Sequence, residues 1–316
     1  MSNIYFNKQM PRYVVGIVVL TYGVYYLSGK TNEMNQLKNL TFFQISAAST
    51  AVLAYLFITG IKYQVLLSTY KIELSFKEWF GLAQIIKFFN MLFLKSGTVA
   101  AAYYLKSQHQ LSYFRFIVAM AVHKLISLFT VVLLSLLISL IYFIYFGLHF
   151  YVVIFFSFLL ATLIGLFYFP YYEKKEMNSF LFKKIREAYD FWNEYKKDTP
   201  VVIKVILLDV AAIPALGLRY YVAFKILDSP VSILECIIFS LVVSISGVVS
   251  IIPGNIGIRE ALVGFSTYYM DYGFDYGVLA TALDRIIATI WISLLGTIYF
   301  HTLHLKGYSK KEQVRL

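Results

Sequence analysis

The sequence predicts an all-α, polytopic integral membrane bundle of about eight crossings, some of them broken or re-entrant, with both termini cytoplasmic. Three observations predict it. Apolar residues make up 59% of the 316 and charged residues only 14%, against roughly 25% charged in a soluble domain. The apolar residues fall in blocks long enough to cross a bilayer, giving a mean hydropathy of +0.70. Lys and Arg collect in some connections and avoid others, as they do when they set orientation. The same figures exclude a soluble globule, a disordered chain and a disulfide scaffold, because Cys236 is the only cysteine. The net charge of +11 therefore reports topology, and no nucleic-acid partner is expected.

Taken in order, the apolar run 14–27 is the first span. Lys8 and Arg12 precede it, but no small-residue cleavage site follows in Leu27-Ser28-Gly29-Lys30, so it reads as a retained helix. The second span is 40–61. Between 116 and 172 the one fully charged residue is Lys124, which leaves room for two helices turning at 147–149. Spans 202–227 and 231–252 follow, split by Asp228-Ser229-Pro230, and the last runs 278–304. Residues 76–94 interleave Trp79, Phe80, Phe88 and Phe89 with Lys77, Glu78, Gln84, Lys87 and Asn90, too polar for an ordinary span and better suited to interfacial or re-entrant placement. The whole chain reads as one transmembrane domain: an N-terminal half 1–170, a basic connection 171–200 and a C-terminal half 201–316.

Basic residues place three connections in the cytoplasm: Lys62, Lys71 and Lys77; Lys174, Lys175, Lys183, Lys184, Arg186, Lys196 and Lys197; and Lys306, Lys310, Lys311 and Arg315. Aromatic residues at helical spacing within 171–200 suit a helix on the inner leaflet, and a solvated linker suits its charges equally. This orientation returns the chain to the inside near 252, so 253–270 must itself reach the outer side. Residues 257–270 extend only about 21 Å as helix, too short for a crossing. A broken or re-entrant helix resolves the parity, and such backbone is tolerated at depth only where protein or a watery cavity satisfies it.

The segment Pro253-Gly254-Asn255-Ile256-Gly257-Ile258-Arg259-Glu260 places a helix stop, flexible backbone and a charged pair at that break. The helix starting near Ile258 presents free N–H groups to an anion, and Arg259 adds a bidentate donor suited to phosphate. Glu260 is placed to pair with Arg259, to cap the turn or to carry a proton.

This Pro-Gly-x-x-Gly-x-x-Glu segment, with Arg285 following in the last helix, resembles the signature of the lysylphosphatidylglycerol synthase transmembrane-region family, whose members are flippase-like. The resemblance implies a membrane unit that moves an anionic or aminoacylated lipid between leaflets, here without an aminoacyltransferase domain. The first half departs from the family: Asn90-Met91-Leu92-Phe93-Leu94-Lys95-Ser96-Gly97-Thr98 stands where a Pro-Gly-x-x-Gly-Glu turn and an arginine are usual, and His123-Lys124 where Glu-Arg is usual. Two interrupted segments, one per half, are where transporters often place a binding site.

Ionisable residues within spans cost roughly 2.5–3.5 kcal/mol each on insertion and are candidates for the same site. Asp209, with Pro214 as a kink and Arg219 further on, is expected to pair with Arg285, Lys124 or Arg219. Asp284-Arg285 supplies either a second anion ligand or a buried pair that adds rigidity. Glu235, near a helix end, is expected to snorkel. His301 and His304 have helical spacing but no carboxylate or cysteine partner, so neither a metal nor a cofactor is expected. Ser240, Ser244, Ser246, Gly247 and Ser250 read as a close-packing helix face.

Three functions fit. In the first, a multi-pass plasma-membrane transporter holds an anionic phospholipid or polyprenyl-linked head group on Pro253, Gly254, Asn255, Gly257, Arg259, Glu260, Asp284 and Arg285, with Asp209, Arg219 and Lys124 nearby. Its partners would be membrane lipids, a second copy of the chain or an envelope-synthesis enzyme. The second is a membrane-embedded transferase or accessory protein of envelope lipid or glycan synthesis. The absence of a nucleotide loop or nucleophile constellation argues against an enzyme. The third is a proton-coupled small-solute transporter using Asp209 and Glu260.

Overall fold

A computed structural model of the chain describes residues 40–146, 150–168, 186, 189–193, 195, 197–248 and 253–313. Among these residues the secondary structure is wholly helical. The expected first span, most of the connection 171–200, the turn 147–149 and Ser250 lie outside the described residues.

Among the described residues the bounded α-helices run in order α1 (Phe42–Ser68), α2 (Phe76–Leu92), α3 (Ser96–His109), α4 (Tyr113–Phe146), α5 (Phe150–Tyr168), α6 (Thr199–Ile226), α7 (Ile233–Val248), α8 (Ile258–Tyr269) and α9 (Phe274–Gln313), with a 3₁₀ turn at Pro253–Asn255 before α8. Stretches within α1, α4, α6 and α9 are long and apolar enough to span a bilayer, and α5 and α7 contain shorter apolar helices. With an exposed apolar belt that includes Phe43, Ile144, Phe158, Leu207 and Ile290, this is a polytopic helical membrane protein.

Local chemistry sets the helix ends. Thr41 starts α1 with a capping box, its hydroxyl accepting the Gln44 N–H while the Gln44 side chain accepts the Thr41 N–H at 2.9 Å. The Glu78 carboxylate accepts the Ser75 N–H at 3.0 Å and starts α2 in the same way. Asp198, followed by Pro200 in the first turn, starts α6. In each case a side chain satisfies N–H groups that have no partner within the helix.

The helix α1 continues to Ser68, a finding that corrects the sequence reading. Lys62 is not a cytoplasmic connection residue but lies inside the helix, because Asp209 neutralises it. The segment 76–94 is not interfacial either. Helix α2 buries Trp79 to Ile86 against α1, α3 and α9, and forms with α3 a helical hairpin inserted into the bundle. Its return is tight: a Cβ on Gly97 would stand 2.1 Å from the Ile86 carbonyl oxygen, and Asn90 Oδ1 accepts the Gly97 N–H at 3.0 Å.

Small residues bring α6 and α7 together, and of the serine-rich face expected to pack it is Ser240 that reaches α6, whereas Ser244 and Ser246 bond within α7 and a Cβ on Gly247 would meet open space. Gly217 lies against the Ile237 backbone, and the Ser240 hydroxyl reaches the Ile213 carbonyl at 2.9 Å, beside Pro214. Glu235 does not snorkel. It caps Ser232 at 2.7 Å and accepts the Tyr272 hydroxyl at 2.9 Å, tying α7 to the turn before α9.

Of three apolar clusters among the described residues, the smallest is Val131, Ile213 and Leu241, and the two larger mark opposite ends of the bundle. One gathers Leu66, Leu82, Leu105, Phe116 and Val205 toward the end of the bundle where α1 finishes and α2 begins. The other gathers Leu56, Phe224, Cys236, Phe239 and Leu279 toward the opposite end. Between them lies a layer of charge.

Candidate functional site

The charged layer sits at mid-depth. Asp209 is ten residues into α6, Lys87 eleven into α2 and Arg285 eleven into α9, so each stands about 15–16 Å along its helix. Charges so far from water are stable only when paired or hydrogen-bonded, and three pairs meet that need.

Asp209 is held by the Lys62 ammonium and accepts the Ser127 hydroxyl at 2.8 Å. The partners expected for Asp209, namely Arg285, Lys124 and Arg219, are therefore corrected to Lys62 of α1 and Ser127 of α4. Arg219 instead grips Asp284 with two parallel bonds, Nε to Oδ1 at 2.8 Å and a terminal amine to Oδ2 at 2.7 Å, with both side chains no more than 4% exposed. Glu260 pairs with Arg285 at 2.8 Å rather than with Arg259. Its second oxygen accepts the Gly257 N–H at 2.8 Å, so of the roles open to it the structure gives it the cap. A further Arg285 amine donates to the Asn255 carbonyl at 3.0 Å.

The break itself follows from its sequence. Gly254, Asn255 and Gly257 have φ of 64°, 51° and 83°, the left-handed region that glycine enters freely and asparagine tolerates. Three such residues just after Pro253 turn the chain sharply into α8. Arg285 and Glu260 then clamp that turn to α9. Glycines close the other side: a Cβ on Gly277 would stand 2.7 Å from both Gly264 Cα and the Val263 carbonyl, so α8 and α9 touch backbone to backbone.

The opposing hairpin meets this break. The α2–α3 tip carries Met91, whose Cα and Cγ lie within 3.9 Å of the position a Cβ on Gly254 would occupy. The two interrupted segments thus enter from opposite ends of the bundle and touch at Met91 and Gly254. Lys95, at the tip, is a non-glycine residue in the left-handed region, with φ 62°.

Within the layer, two cations remain without a carboxylate among the described residues, Lys87 and Arg259. Lys87 donates to the Thr59 hydroxyl and stands 5.3 Å from the centre of the Tyr55 ring, which also lies 4.9 Å from Arg219. Arg259 is within charge–charge reach of Lys87, Tyr220 and Arg285. Its Nε–H is buried without an acceptor, as is the Tyr220 hydroxyl. Asn255 Oδ1 and both amide atoms of Gln84 are buried and unpartnered too.

Of the residues expected at the site, the structure brings together Gly254, Asn255, Gly257, Arg259, Glu260, Asp284, Arg285 and Arg219, with Pro253 in the turn. Asp209 joins the same layer through Lys62. Lys124 does not join it: it stands exposed on α4, in charge–charge reach of Lys95. Lys87, Lys62, Tyr55, Thr59 and Ser127 were missed. A signal for Lys87 exists in Gln84, Lys87 and Asn90, whose spacing of three residues sets polar groups on one side of a largely apolar segment. A separate cavity of about 410 Å³ opens between Tyr70, Phe191 and Asp198 at the end where α6 begins, away from this layer.

Comparison with known proteins returns one finding of weight. Residues 13–296 match the family described as lysylphosphatidylglycerol synthase TM region. No curated protein matches the chain.

Proposed function

The chain belongs to the lysylphosphatidylglycerol synthase TM-region family, and from that premise we propose that it moves a lipid with an anionic head group between leaflets. Family and apolar helices together make it a membrane protein of lipid metabolism or transport. The finer reading is supported above all by one observation: where the α2–α3 hairpin touches the break before α8, the layer holds more cations than carboxylates.

The main barrier to lipid transfer is stripping water from the head group, since an unpaired ion in hydrocarbon costs many kcal/mol. Fixed cations at mid-depth replace the lost hydration, while the acyl or isoprenoid chains stay in lipid along the bundle. In this scheme Arg259 binds the phosphate. Arg285 and Glu260 position Arg259 by fixing the turn, so Arg285 serves as a brace rather than as a second free ligand. No covalent chemistry is required of the protein, which works in the plasma membrane alone or as a homo-oligomer.

The test uses vesicles containing the purified chain and a labelled anionic phospholipid. The expected result is a change in leaflet exposure with the mass of the lipid unaltered, abolished in Arg259→Ala and in Arg285→Ala at normal expression. A new lipid species in the mass spectrum identifies a transferase instead. Normal transfer by both variants removes the break from the mechanism.

A further inference from the structure

Lys87 and Arg259 are the two unmatched charges of a layer that is otherwise neutral in pairs. Its three carboxylates, Asp209, Asp284 and Glu260, are taken by Lys62, Arg219 and Arg285. Neither the apolar run 13–29 nor residues 249–252, which lie outside the described residues, contains an acidic side chain that could complete the count. Lys95 and Lys124 are exposed and do not enter it.

Among the buried atoms of the layer, the Arg259 Nε–H and Tyr220 O–H have no acceptor, Asn255 Oδ1 has no donor and the Gln84 amide has neither, while Lys87 donates to the neutral Thr59 hydroxyl. A site with two unmatched cations and spare buried donors calls for a ligand rich in acceptor oxygens and carrying at least two negative charges. A phosphodiester head group, with a single charge, would leave one cation uncompensated at depth.

We infer that the group held between the α2–α3 hairpin and the break before α8 is a phosphoryl group on a lipid anchor carrying at least two negative charges, either a diphosphate or a phosphate monoester, gripped by Lys87 from α2 and Arg259 from α8. This rests on the lipid-head-group reading of the site and narrows it. It also gives the hairpin and the break one ligand each.

The experiment measures binding of three lipids to the full chain in phosphatidylcholine nanodiscs: a long-chain isoprenyl diphosphate, phosphatidic acid, and phosphatidylglycerol as the singly charged control. At pH 8 the preferred of the first two lipids binds at least tenfold more tightly than phosphatidylglycerol. Lys87→Gln removes that preference by lowering the affinity for the preferred lipid at least tenfold. If phosphatidic acid is the better ligand, its advantage vanishes at pH 5, below the second phosphate pKa of about 6. An advantage that persists at pH 5 for the isoprenyl lipid identifies a diphosphate. Equal or tighter binding of phosphatidylglycerol overturns the inference and leaves the lipid-site reading standing, whereas binding of none of the three overturns the reading itself. Should Lys87→Gln fail to fold, the comparison among lipids on the unaltered chain still decides.

Discussion

Replacing Asp284 by Asn removes one charge from the most deeply buried pair and changes the side-chain volume very little. In the parent protein the Arg219 guanidinium makes two charge-assisted bonds to Asp284, at 2.8 and 2.7 Å, with side-chain exposures of 3% and 4%. The variant keeps one acceptor oxygen but leaves the guanidinium uncompensated, a loss of about 3–5 kcal/mol for a buried pair. The Tyr55 ring, 4.9 Å from Arg219, is present in both proteins and cancels from the difference. On the usual conversion this lowers the midpoint of thermal unfolding by roughly 5–10 °C, read by size-exclusion recovery after heating in detergent. Arg219→Met combined with Asp284→Leu removes both charges and recovers most of the loss, because apolar replacement of a whole buried pair is close to neutral. A single variant that melts within about a degree of the parent, or a double variant as unstable as the single, refutes the assignment of this pair as a structural brace.

Gly97→Ala drives a Cβ to 2.1 Å from the Ile86 carbonyl oxygen and forces the α2–α3 hairpin apart, so folded monodisperse protein is expected to be lost. Gly165→Ala, with nothing within 4 Å of the new atom, is silent or slightly stabilising by the same measurement. At the start of α2, burial pushes the Glu78 carboxyl up, but bonds from the Ser75 backbone and hydroxyl, Tyr104 and His109 outweigh it and hold it below its ordinary value. Its unfolded state therefore binds protons first. The stabilisation is full above the ordinary glutamate pKa of about 4.3 and is lost as pH falls through the lower folded value. Glu78→Gln should flatten that acid limb in a pH series of melting points, and an unchanged limb rejects the assignment.

The spans were legible because a bilayer demands long apolar runs, and the runs at 116–172, 202–227 and 231–252 became α4 with α5, α6 and α7 at nearly those bounds. The break at Pro253 was legible because glycine and proline have few other reasons to stand together inside such a run. Ion-pair partners were not legible. Lys62 and Asp209 lie 147 residues apart, and helical periodicity gives each helix a face without saying which neighbour that face meets. Lys62 was misread for the same reason: a lysine near the end of an apolar run looks like an anchor until the helix carrying its counter-ion is in place. In 76–94 polar residues interrupt the apolar pattern too often for a span, and only the fold supplies their partners: Glu78 and Asn90 bond α3 within the hairpin, and Lys87 bonds Thr59 of α1.

The three ion pairs join α1 to α6, α6 to α9 and α9 to α8 in series. None of these four helices can slip by one turn, about 5.4 Å, without parting opposite charges in a dry interior. The α2–α3 hairpin has no link in that series. It is laced to itself, with Glu78 bonded to Tyr104 and His109 at one end and Asn90 to Gly97 at the other. Its grip on α9 is the side-chain contact of Gly81 with Tyr299 and of Gly296 with Phe88, which carries no charge and little directional preference. The two parts are therefore held differently: four helices are riveted by charge, and the hairpin bearing Lys87 is seated against them by side-chain packing and by the bond from Lys87 to Thr59 of α1.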